Sequence, residues 1–233
     1  MPNSYKLTVI NETGGPQDYA FFNDTPLVSG GVSGPVWSNV MKSAVHTPNG
    51  GRASFEVQNT FHATCGSFEG SPEHGGKITI SKSVPVNLGS KAEGNVTAGS
   101  SVALTVYNKT SCDLEPPTTP GQGKLGNFQL TTTCKPENAF TMQDARQNNL
   151  LVGIATSGGG SITNAMASFA PYPNVEYQIM PKAIYHVAAG NRFNVGDLVK
   201  AEMMSNSIAV DFVLRGTNNV TLIHGQDMKF TFQ

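Results

Sequence analysis

Residues 38–49, SNVMKSAVHTPN, are answered 125 positions later by TNAMASFAPYPN at 163–174, with Asn39, Met41, Ser43, Pro48 and Asn49 recurring as Asn164, Met166, Ser168, Pro173 and Asn174. At an offset of 124, FHATCG (61–66) is answered by YHVAAG (185–190), and SKSVPVNL (81–88) by SNSIAVDF (205–212). NVT at 95–97 recurs at 219–221, and the strand-like GSSVALTVY aligns with the terminal GQDMKFTFQ. A near-constant offset over such a length restricts the chain to architectures with two related halves. Substitutions within the blocks keep alternate positions apolar.

That alternation gives the class. Val84, Val86 and Leu88, or Val102, Leu104 and Val106, put an apolar side chain on every second residue, which buries one face of a strand and leaves the other wet. Such runs recur between Gly, Pro, Asn and Ser at the spacing of a sandwich or barrel. Helical periodicity is confined to a short turn around Gln143 to Gln147. The sequence therefore predicts an all-β fold: two tandem, internally duplicated antiparallel β-sandwich-like units at 5–107 and 128–233, joined by a Pro/Gly-rich linker at 108–127. The units either close as separate sandwiches or share one sheet system about a pseudo-twofold axis. A length of about 100 residues each favours separate closure.

Composition removes several function classes. Charged residues are 13% of the chain and the formal net charge is −1, so no field attracts nucleic acid. No apolar run suits a secretory signal or membrane insertion, and the three cysteines suit neither a disulfide framework nor a thiolate metal site, which points to a cytoplasmic setting. The Asn-X-Thr triplets at Asn11, Asn23, Asn95, Asn108 and Asn219 are read as strand-and-turn composition rather than glycan acceptors. No nucleophile elbow, phosphate loop or dinucleotide fingerprint is present, and the histidines lack metal-ligand spacing, so neither cofactor nor metal is expected.

Candidate chemistry rests on the equivalent histidines His62 and His186, on Asp144 and on Arg192 as acid, base or polar groups. Retention of His62 and His186 in both halves also suits a scaffold role before Gly66 and Gly190. Arg146 is a further polar candidate. Function belongs where the halves differ, as at Ala44 against Phe169, His46 against Pro171, Thr47 against Tyr172 and Trp37 against Ile162. Trp37, His46, Phe61, Phe169, Tyr172, Tyr177 and Tyr185 are the candidate ligand contacts. The expected function is binding of an apolar small molecule in an aromatic-lined pocket, most concretely as a cofactor-free cyclase or isomerase of natural-product biosynthesis. The alternative is a carbohydrate-binding or surface-interaction module with a glycan partner at two similar sites.

Overall fold

The computed structural model describes residues 4–32, 34–71, 75–133, 136–157 and 163–233. The first segment forms β1 (Ser4–Asn11), β2 (Gln17–Asn23), β3 (Leu27–Ser29), β4 (Trp37–Ser38), β5 (Val40–Thr47), β6 (Arg52–Gln58), β7 (Phe61–Ser71) and β8 (Gly75–Val86). Then follow β9 (Ser90–Ala92), β10 (Asn95–Thr97), β11 (Gly99–Tyr107), β12 (Ser111–Leu114) and β13 (Thr118–Gly123). The second segment forms β14 (Phe128–Thr131), α1 (Met142–Gln147), β15 (Leu150–Ser157), β16 (Thr163–Phe169), β17 (Glu176–Met180) and β18 (Ile184–Gly190). It ends with α2 (Ala201–Ser205), β19 (Ser207–Asp211), α3 (Phe212–Arg215), β20 (Asn219–His224) and β21 (Phe230–Phe232). The fold is all-β, as the alternation requires. In β6 the pattern is strict: Ala53, Phe55 and Val57 are buried while the residues between them are exposed.

Four sheets carry the core. Their orders are β6-β1-β20-β21, β5-β2-β18-β19, β3-β17-β14-β11 with β12 and β13 on the far side of β11, and β4-β16-β15-β7-β8. Each sheet mixes strands from 5–107 and 128–233, so the two segments do not close as separate sandwiches. The first two sheets face each other, with Phe55 of β6 stacked on Phe21 of β2 at 5.2 Å between ring centroids and Phe21 on Tyr185 of β18 at 5.3 Å. The last two sheets meet through Phe169 of β16 and Tyr177 of β17, edge to face at 5.0 Å. Thus β7 to β17 build a second sandwich inserted into the first. Among the described strands β3 and β4 reach across, as edge strands of the inserted one, and the loop at 196–198 also bonds to β8, with Lys77 bridged to Asp197.

The matching blocks occupy matching ladder positions. Tyr19, Ala20 and Phe21 of β2 face Ala44, Ser43 and Lys42; Val152, Gly153 and Ile154 of β15 face Phe169, Ser168 and Ala167. Both ladders then slip by one residue at the same place, leaving Met41 and Met166 at the bulge, fully buried. His62 pairs with Pro85 and His186 with Ala209, again at equivalent positions.

The alignment of the final strands differs from the sequence reading. The parallel partner of β1 is β20, and that of β14 is β11, so NVTLIH answers SVALTV rather than the terminal strand answering it. The NVT triplet at 95–97 lies instead in the exposed β9–β10 hairpin. The segment 108–127 is not a free linker either: β12 and β13 both pair antiparallel with β11. These strands are too short for the sequence pattern to show, Pro116 and Pro117 lie in the connection between them, and Pro120 is tolerated in β13 because that strand lies at a sheet edge. Among the described residues no helix is long and apolar enough to cross a membrane.

Candidate functional site

The excursion carrying β3 and β4 and the helix α1 lie over one end of the inserted sandwich, and between them is an apolar pocket of about 270 Å³. Its described walls are Trp37 of β4, Phe68 of β7, Leu150 of β15, Phe169 of β16, Ala145 and Arg146 of α1, Tyr172, Ala170, Val32, Gly34 and Pro35. Trp37 is placed by the antiparallel pairing of β4 on Ser168 and Ala167. Its ring is tilted against Phe68, centroids 6.3 Å apart.

Arg146 is held by a local device. In α1 the Thr141 hydroxyl accepts from the Asp144 backbone N–H at 3.1 Å, and the Asp144 carboxylate accepts from the Thr141 backbone N–H at 2.8 Å, a capping box that fixes the helix start. Hydrogen bonds from Thr141 hold the Asp144 carboxyl below its ordinary pKa, and Lys109 Nζ lies 3.3 Å away. Arg146 Nη2 then donates to the Tyr172 phenol at 3.3 Å. Tyr172 is clamped in turn, its backbone N–H donating to the Tyr177 phenol at 2.8 Å and its carbonyl accepting from Thr132 Oγ1 at 2.5 Å.

Of the candidate ligand contacts, Trp37, Phe169 and Tyr172 converge here, together with Arg146. Tyr177 stands behind them as a buried support whose phenol is pushed up by burial. Asp144 serves the helix cap rather than the pocket. Tyr185 is a core ring, stacked on Phe21 and edge-on to Phe212, and Phe61 is half-buried against the same core. Phe68 and Leu150 were not singled out from the sequence, because an alternating strand residue carries no mark of which void it borders.

The histidines go elsewhere. His62 Nε2 lies 3.1 Å from Ser157 Oγ, and His186 Nδ1 lies 3.1 Å from Ser207 Oγ. Since Ser207 Oγ donates to the Met204 carbonyl at 2.8 Å, the His186 proton sits on Nδ1. His62 Nδ1 and His186 Nε2 are buried without a partner among the described residues. Burial lowers both pKa values, and His186 lies flat on Phe22 at 5.2 Å.

His46 and Arg192 meet at a residue the sequence did not flag. Both take left-handed backbone, φ 54° and 60°, and Asp18 accepts from the backbone N–H of each, at 2.7 and 3.4 Å. Arg192 borders a polar groove of about 660 Å³ with Asn191, Phe193, Lys200 and Glu202. It adjoins a second groove of about 750 Å³ bordered by Gln17, His224 and Phe230. At the latter, His224 Nδ1 meets the buried Tyr19 phenol at 3.1 Å, and burial pushes that phenol up to about 12.

The Trp37–Ile162 comparison falls partly outside the described residues, as do His74 and Cys134. Among the described residues no three His, Cys, Asp or Glu side chains are grouped to hold a metal ion. No protein-family model matches the chain, and neither a curated protein nor a solved structure shows a significant match to it.

Proposed function

We propose that this protein binds a compact, mainly apolar small molecule in the pocket walled by Trp37, Phe68, Phe169 and Tyr172. The observation that carries this is the convergence of aromatic residues from separate elements around one concave apolar space, with one cation at its border. Two of those residues, Phe169 and Tyr172, stand where the other half has Ala44 and Thr47, so the aromatic wall they form has no counterpart at the equivalent positions of the other half. That asymmetry supports a single-pocket reading over a bivalent one. The retained Asn39 and Asn164 are buried and act as scaffold.

The chemistry that fits is binding, or ring closure and isomerisation driven by orientation and a hydrogen bond. Among the described lining residues there is no Ser, Cys, His, Lys or carboxylate to act as nucleophile or base. Arg146 and the Tyr172 phenol are the polar groups that could polarise a bound carbonyl.

Trp37 is the only tryptophan in the chain, so its emission reports on this pocket directly. Titration with naphthalene- and indole-sized apolar compounds is expected to change that emission saturably, and Ala170→Phe, which fills the space, is expected to abolish the change. If no such compound alters Trp37 emission, or if the filled variant binds as well as the natural chain, the proposal fails.

A second reading attaches to the polar grooves, where Asn191, Asn206 and Gln17 lie beside Phe193 and Phe230, the amide-and-aromatic mixture that suits sugar rings. A glycan array devoid of binders would remove it.

A further inference from the structure

We infer that the Trp37 pocket selects planar aromatic carboxylates, with Arg146 as the residue that recognises the anion; this rests on the small-molecule reading above and names its ligand class. Arg146 is the one charged residue among the described lining residues. The carboxylate nearest to it along the helix, Asp144, is already engaged by Thr141 and Lys109. No ion pair to Arg146 is formed among the described residues, and its hydrogen bond goes to a neutral phenol. A guanidinium carries five N–H donors in a planar fork that matches a carboxylate in bidentate fashion, so most of its donor capacity is uncommitted.

The position of the cation sets the ligand's polarity. The interior is hydrocarbon and ring surface from Trp37, Phe68, Leu150 and Phe169, whereas Arg146 is exposed at the border. A ligand with one apolar end and one anionic end satisfies both regions without burying a charge away from water. Size narrows it further: about 270 Å³ falls just under the ~300 Å³ at which pockets for drug-sized molecules begin, which suits one or two fused rings. The tilted Trp37 and Phe68 rings offer both a face and an edge, the two geometries that aromatic ligands prefer. Arg146 is also pre-positioned, because the capping box fixes its helix and the clamped Tyr172 fixes its guanidinium. Little ordering remains to be done on binding.

The test compares 1-naphthoic acid with 1-naphthamide, titrated against Trp37 emission at neutral pH. The acid is expected to bind about tenfold more tightly or better, a difference of about 1.4 kcal/mol. Arg146→Gln is expected to bring the two affinities together by weakening the acid alone. Arg146→Lys, which keeps the charge and loses the fork, is expected to retain part of the preference. Circular dichroism checks that these exposed substitutions leave the fold intact. Equal binding of acid and amide to the natural chain, or a preference that survives Arg146→Gln, overturns the carboxylate inference while leaving the pocket reading standing. Failure of both compounds to bind overturns the pocket reading and the inference with it.

Discussion

His62, His186 and His224 are all held below the ordinary imidazole pKa, in each case chiefly by burial. Unfolded, each ring takes up a proton near pH 6.5; folded, it does so only at lower pH. Between those values the unfolded chain binds more protons, so acid favours unfolding. The contribution to stability is complete above about pH 6.5 and is lost as pH falls toward the folded pKa values. The carboxyl of Asp144, also depressed, acts in the same direction but only at lower pH. The melting temperature is therefore expected to fall between pH 7.5 and pH 5.5, and the His62 and His186 ring protons followed by NMR should titrate below 6.5. A flat or rising melting temperature over that window would contradict the burial described for these rings. At this scale the sequence was legible in comparison but not in isolation. The pairing of Phe169 with Ala44 and of Tyr172 with Thr47 pointed to the pocket, whereas Asp18 looked like any surface carboxylate until His46 and Arg192 met at it. Asn11 is similar: its sequon is a turn device, with its side-chain amide donating to the Gly15 and Thr47 carbonyls and its oxygen accepting from Thr13.

At the scale of elements, α1 decides whether the pocket has a charged border. It is only six residues long, too short to persist on propensity alone, so its capping box and its packing through Ala145 are what keep it formed. Thr141→Ala removes the side-chain half of the box and is expected to destabilise the helix by about 0.5–2 kcal/mol. Most of the sheet core is remote from this cap, so far-UV circular dichroism should change little. Ligand affinity in the Trp37 assay should fall by severalfold, because Arg146 would no longer be pre-positioned. Unchanged affinity would mean that α1 does not order Arg146. The helix was visible in the sequence as a break from period-two alternation. By contrast β12 and β13 were hidden, since four to six residues are too few to give a periodicity and β13 is broken further by Pro120, Gly121 and Gly123, so that their neighbour β11 organises them. Gly66 and Gly190 show the same gap between pattern and cause. They align in the repeat, yet a side chain at Gly66 would strike the Thr79 carbonyl, while at Gly190 it would strike the Phe193 ring.

At the scale of the molecule, the two halves are related by ladder register but interlocked in space. Alternation tells which face of a strand is buried, not which strand lies beside it, so the all-β class was readable and the exchange of partners was not. The consequence can be measured by cutting the chain. A split at residue 127 separates β7 from β15, β2 from β18, β1 from β20 and β11 from β14, which leaves unpaired edges and bare apolar faces in both fragments. Residues 1–127 and 128–233, made separately, are expected to lack a cooperative thermal transition. Mixed, they should regain both the transition and the Trp37 emission of the intact chain. A fragment spanning 60–182 keeps β7 to β17 together and loses the edge strands β3 and β4 and the 196–198 loop that bonds to β8, so it is expected to unfold cooperatively at a lower temperature. Two self-contained tandem sandwiches would give the reverse, with both halves of the split at 127 folding alone and the 60–182 fragment failing, because it would then carry parts of two incomplete cores.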